Sequence, residues 1–315
     1  MAKPVVSINN ESDLIAVVPH LLHFHPTDSL VVFPVSGRAP TARVDHPHDG
    51  DALLEVAASL GAAYRKHAGA RVVLLAYTDN HPHAVDAITA VTAMLDGFAE
   101  VIDSLVVDGE QWFRLGTGER GTVNSQAVAR VEAATVLAGS AQPKRTRQEV
   151  AEDLVGPQEA ALAVREAGKA QHAARAGRIA VEGQEVADVA EAAWISQTVA
   201  GFTYDEVRLS DADAARLLLG VNAILDLRDT AWMAITRENA QTCIALWRDL
   251  VRRAPEEHRT PAAALLAFSA WCAGDGALAW AALDLIPAWE DYAMAGLVAE
   301  AVENAVDPAI WGPNR

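Results

Sequence analysis

Ser29-Leu30-Val31-Val32-Phe33-Pro34-Val35, followed shortly by Thr41-Ala42-Arg43-Val44-Asp45, is the stretch on which the fold turns. β-Branched and aromatic residues dominate the first run, and the second alternates apolar with polar positions. The pair therefore reads as a β-hairpin closed by Ser36-Gly37-Arg38-Ala39-Pro40. Histidines ring its open end: His20, His23 and His25 before the first strand, His46 and His48 after the second.

Upstream, residues 11–23 carry Leu14, Val17, Val18, Leu21 and Leu22 at helical spacing, with Pro19 expected to kink or restart the helix. Downstream, residues 51–67 are an amphipathic helix and Arg71–Tyr77 is an apolar run suited to a strand buried on both faces. A helix over 84–98, a strand over 101–107, a tight turn at Asp108-Gly109 and a strand over 111–115 follow. The order β-β-α-β-α-β-β predicts an α/β domain with a mixed sheet. Right-handed crossovers then make the strands at 41–45, 71–77 and 101–107 parallel. One more helix is expected over 124–138.

Beyond residue 145 the strand signals stop. Helical patterns run at about 147–155, 157–176, 182–200, 211–228, 230–235, 238–253, 261–273, 276–286 and 291–305. Breaks fall at Gly156-Pro157, Gly201, Pro255, Gly274-Asp275-Gly276, Pro287 and Pro308. The expected organisation is an α/β domain over 1–145 and an all-α domain over 146–315. Alternating small and large apolar residues around the Gly-Asp-Gly turn make the last helices partly tetratricopeptide-like, in a repeat that is not sustained.

The net charge of −17 is unevenly placed: 12 basic against 17 acidic side chains in residues 1–150, and 13 against 25 in residues 151–315. Phosphate backbones and anionic lipid surfaces are recognised by lysine and arginine, so nucleic acid and membranes are disfavoured as partners. The basic cluster Lys144-Arg145-Thr146-Arg147 is too short to reverse that. The two cysteines, Cys243 and Cys272, lie in apolar helical patterns and read as buried, reduced thiols. With no basic-then-apolar leader before the polar Ser7–Glu11, the expectation is a cytoplasmic protein.

Seven of the ten histidines fall in three short groups, 20/23/25, 46/48 and 81/83. A hairpin sets the end of its second strand beside the start of its first, and a β-α-β crossover sets the end of the 71–77 strand on the same edge. Asp79, His81 and His83 should therefore face Asp45, His46 and His48 at the carboxyl ends of the strands, where α/β folds bind ligands. Imidazoles with carboxylates suit Zn, Ni or Fe, so His46, His48, His81 and His83 are the candidate metal ligands. The plain alternative is solvated histidines, since His25, His46 and His81 all stand in His-Pro turn pairs.

Asp28, Ser29, Arg43 and Asp45 form a polar set on facing hairpin arms. An Arg43 ion pair with Asp28 or Asp45 that holds the hairpin's mouth is the structural reading, and ligand binding by His25, Asp28, Ser29, Arg43, Asp45 and Asp79 the functional one. Gly116-Thr117-Gly118-Glu119-Arg120-Gly121 spells G-x-G-x-x-G, but it follows a hairpin arm and Glu119 would oppose a pyrophosphate. Walker, kinase, H-E-x-x-H and G-x-S-x-G motifs are absent, and no cofactor is specified. Seven of the eight tryptophans lie in the helical half, at spacings that make most of them core.

Several segments together resemble a family of actinobacterial proteins known only as a domain of unknown function. They include Asp13–Leu22, Pro26–Val32, Thr41–Asp45, Arg71–Leu74, Leu105–Trp112, Leu246–Pro255 and Ala264–Leu283. The resemblance spans nearly the whole chain and implies an α/β domain followed by a helical part, with no established activity. Where His25 stands the family has arginine, and where His20 stands it has an aromatic residue.

Two functions are compatible with these features. The favoured one is a cytoplasmic, non-enzymatic binding or scaffold protein that self-associates or holds another protein through its acidic, tryptophan-rich helical half. The rival is an enzyme or sensor that takes a small ligand or metal at the strand-end rim of the α/β domain.

Overall fold

A computed structural model describes residues 7–36, 39–47, 49–137, 142–203 and 208–311. The chain forms two compact units, Met1–Arg147 with Glu303–Val306, and Gln148–Val302 with Asp307–Arg315. The return of Glu303–Val306 to the first unit is something a single boundary at 145/146 does not describe.

The first unit opens with α1 (Glu11–Leu22), capped by the Asn10 side chain, which accepts from the Asp13 amide. Pro19 lies inside α1 without dividing it. There follow β1 (Ser29–Ser36), β2 (Ala42–Asp45), α2 (Gly50–Arg65), β3 (Ala70–Tyr77), α3 (His81–Leu95), β4 (Ala99–Asp108), β5 (Gln111–Arg114), β6 (Arg120–Thr122) and α4 (Ser125–Leu137). The six strands make one mixed sheet in the order β2-β1-β3-β4-β5-β6. β1 is antiparallel to both β2 and β3, and β3 is parallel to β4. β2, β3 and β4 thus share one direction, with β1 intervening between β2 and β3.

Alternation along the strands sends their apolar side chains to both faces. Leu30, Val32, Val72, Leu74, Ala76 and Val106 pack against Leu60 and Tyr64 of α2 and Ile88, Val91 and Leu95 of α3. The intervening Val31, Phe33, Val73, Leu75, Tyr77, Leu105 and Val107 are buried on the opposite face. α1 and α4 are bound to each other: the Asn124 amide donates to Ser12 Oγ, and Arg130 pairs with the buried Asp13 carboxylate.

β6 is not foreseen in the sequence, because Arg-Gly-Thr carries no apolar alternation. It is held by backbone pairing to β5, Trp112 opposite Gly121. The G-x-G-x-x-G spelling therefore lies in a hairpin turn and an edge strand. It is not the strand-to-helix turn that a dinucleotide site uses.

The second unit is helix-rich: α5 (Arg147–Asp153), α6 (Gln158–Glu182), α7 (Gln184–Gly201), α8 (Asp211–Ala223), α9 (Leu225–Met233), α10 (Ala240–Arg253), α11 (Arg259–Cys272), α12 (Gly276–Leu283) and α13 (Ala293–Glu303). Its centre is α11, buried from Pro261 to Cys272 and packed on α10 and α12. The buried Glu191 carboxylate accepts from Arg178 and Arg216, and the Arg216 guanidinium lies 3.9 Å from the centre of the Trp194 ring. Trp247 and Trp271 are buried, while the other five tryptophans of this unit are half-buried. Trp311 stacks on Trp232 at 5.5 Å and donates through Nε1 to the Ile235 carbonyl. No helix among the described residues is long and apolar enough to cross a membrane.

Candidate functional site

The strand register brings the chemistry to one edge of the first unit. Ser29, at the start of β1, stands opposite Asp45 on one side and Tyr77 on the other, and Tyr77 stands opposite Val107 of β4. The segments that leave or enter the sheet here are His46 after β2, Thr78–Asn80 after β3, Gly109–Glu110 after Asp108 at the end of β4, and Thr27–Asp28 before β1.

Asp28 links three of these segments. Its carbonyl accepts from the His46 amide at 2.7 Å and its Oδ1 from the Thr78 hydroxyl at 3.1 Å. The Asn80 amide donates to the same hydroxyl, and the Asn80 side chain caps α3 by accepting from the His83 amide. Asp28 makes these bonds from the left-handed region, at φ 41°.

A cleft of about 710 Å³ opens at this edge. One wall is α1, through Ile15, Ala16, Pro19 and His20; another is α4, through Val128 and Glu132. Tyr77 and Val107 come from the ends of the two parallel strands. Gln142 and Pro143 complete it, held by a short parallel bridge in which the His25 amide donates to the Lys144 carbonyl and the Lys144 amide to the His23 carbonyl.

Two polar atoms of the lining are buried without a hydrogen-bond partner among the described residues: the Tyr77 hydroxyl and His20 Nδ1. Tyr77 is 7% exposed, and burial raises its phenol above the ordinary value. Burial also lowers the His20 imidazole, with Glu132 opposing and His25 and His23 adding to the shift. Pro19 has no N–H to give the Ile15 carbonyl one helical turn back. Around these groups stand five carboxylates, Asp28, Asp79, Asp108, Glu110 and Glu132, with no lysine or arginine among the described lining residues.

The residues singled out in the sequence divide into three groups. His25, Asp28 and Asp79 line the cleft. Ser29, Arg43 and Asp45 do not. Ser29 is fully buried; its hydroxyl donates to the Thr27 carbonyl at 2.6 Å and accepts from Arg43 at 2.7 and 3.0 Å. Arg43 pairs with Asp45 at 2.6 Å and lies over the Phe24 ring at 5.5 Å. This is the ion pair that holds the hairpin's mouth, made with Asp45 and not with Asp28.

The third group is the histidines. His46 is buried with its ring 4.7 Å from that of His83, and His81 Nε2 is 3.3 Å from an Asp108 carboxylate oxygen. The crossover geometry does bring His46 and His83 together. His48 lies outside the described residues. Among the described residues no group of three or more His, Cys, Asp or Glu side chains is arranged to hold a metal ion.

Sequence reasoning passed over Tyr77, Asp108, Glu110 and Glu132. Position could have found the first two, since both end parallel strands. Glu132 has no local signal, because only the packing of α4 beside α1 brings it there.

A family model described as a domain of unknown function (DUF4192) matches residues 12–309. No curated protein and no solved structure matches the chain.

Proposed function

From the premise that the chain belongs to the DUF4192 family, whose description assigns no chemistry, we propose that it binds a small organic molecule in the strand-end cleft of its first unit. The observation that carries this reading is the Tyr77 hydroxyl, buried in the cleft lining without a partner. A buried hydroxyl left unsatisfied costs about 1–3 kcal/mol, and a ligand oxygen or nitrogen supplies the missing bond. The position agrees with the general rule that open α/β sheets take ligands outside the carboxyl ends of their strands.

Methyl-labelled protein titrated with a library of small polar and aromatic molecules tests it. Ligands are expected to shift the methyl signals of Ile15, Val107 and Val128. Tyr77→Phe should weaken them about tenfold, the worth of one buried hydrogen bond, while leaving stability unchanged or raised. Methyl signals unmoved by the whole library, or ligands indifferent to Tyr77→Phe, would overturn the proposal.

A second reading, self-association through the helical unit, is supported by Val181, Val186 and Val189. These are 85%, 55% and 66% exposed around the α6–α7 turn at Gly183. The tetratricopeptide-like character of the α11–α12 hairpin belongs to this reading. Its support is the left-handed Gly274 and the Asp275 side chain that caps α12. A cytoplasmic location is part of the proposal, supported by the free, buried Cys243 and Cys272, whose thiols burial pushes up to about 12.

A further inference from the structure

We infer that the molecule held by this cleft is an organic cation, a protonated amine or guanidinium on a hydrocarbon body; the inference rests on the cleft being a ligand site. Five carboxylate residues line it from separate segments: before β1, after β3, at the end of β4 and in the turn that follows, and on α4. Convergence of one sign from distant parts of the chain leaves a field that attracts cations and repels anions.

Three guanidiniums of this unit are paired with carboxylates outside the cleft lining. Arg43 pairs with Asp45; Arg114 with Glu11, Asp103 and Glu119; Arg130 with Asp13. Asp28 and Asp108 are partly engaged by Thr78 and His81. Asp79, Glu110 and Glu132 have no ion-pair partner among the described residues.

The remaining lining sets the rest of the ligand. Ile15, Val107 and Val128 offer a surface for hydrocarbon. The Tyr77 hydroxyl and His20 Nδ1 are hydrogen-bonding atoms without protein partners, and both can accept from an N–H donor. A bare metal ion fits less well, since no group of three ligating side chains is assembled among the described residues.

The experiment uses the full chain, calorimetry and the cleft methyl signals. The probes are 2-phenylethylamine and 1,6-diaminohexane, with 2-phenylethanol and hexanedioate as their neutral and anionic counterparts. The amines are expected to bind saturably at the cleft, the alcohol about tenfold more weakly, and the dianion not at all. Asp79→Asn and Glu132→Gln, both at exposed positions, should each weaken the amines roughly fivefold and leave the alcohol unchanged.

Equal or tighter binding of the alcohol or dianion would overturn the cation inference and leave the ligand site standing. So would amine binding indifferent to both substitutions. Cleft methyl signals unmoved by both amines would overturn the cation inference, and signals unmoved by the wider library as well would sink both.

Discussion

Asp28, at φ 41°, occupies a conformation that costs a non-glycine residue about 1–2 kcal/mol, and the bonds from His46 and Thr78 hold it there. It was legible in the sequence as one of a polar set, but its partner was not: the hairpin register gives Arg43 to Asp45 and leaves Asp28 to the end of β3. His20 is the residue with a pH signature. Burial holds its imidazole below the ordinary value of 6.5, so the unfolded chain takes the proton more readily. The stability this contributes is fully present above 6.5 and is lost as pH falls from there through the lower folded value. His20→Phe should flatten that acid slope, measured by urea unfolding at neutral and mildly acidic pH; identical slopes would show that His20 is as solvated in the folded chain as in the unfolded one. The approach of His83 to His46 follows from strand direction alone and so was legible in the sequence. Tyr77 escaped notice because whether a buried hydroxyl finds a partner depends on what surrounds it in the fold, and no pattern within β3 reports on that.

Among the elements, those with a strong period were readable and those held by pairing or packing were not. β1, β3 and β4 carry enough valine, leucine and isoleucine to declare themselves; β6 is held by pairing to β5, with Gly121 against the Trp112 ring. A Cβ at Gly121 would lie 2.6 Å from Trp112 Cζ2. Gly121→Ala should therefore destabilise the first unit by about 1–3 kcal/mol, as overpacking does, read from denaturant unfolding. An unchanged midpoint would mean that β6 swings free of Trp112. In the second unit the expected helix over 211–228 is instead α8 and α9, parted at Ile224, which adopts extended backbone at φ −137° and ψ 124°. Neither glycine nor proline marks that break, and the turn is set by tertiary packing. The breaks that do carry chemical punctuation, Gly156-Pro157 and Gly274-Asp275-Gly276, were readable. At the first of them a Cβ on Gly156 would meet the Arg252 carbonyl oxygen at 2.1 Å, so the residue type follows from how close two backbones come.

At the scale of the whole molecule, the net charge of −17 opposes association at low salt, and the exposed valines of the α6–α7 turn favour it. If those valines bind a second copy, light scattering should report a dimer that strengthens with added salt and is lost in Val189→Asp. A monomer at every salt concentration would leave the helical unit without that role. The fold class was legible because strand signals cease along the chain; the return of Glu303–Val306 to the first unit was not. Glu303–Val306 belongs to the first unit, where Ala305 packs on its core, the Lys66 ammonium donates to the Asn304 carbonyl, and His67 Nε2 lies 3.3 Å from the Ala305 carbonyl. During synthesis, then, the leading unit receives its last tetrapeptide only after residues 148–302 have been made. A chain that stops before Glu303 should leave an opening in the part of the protein that was made first.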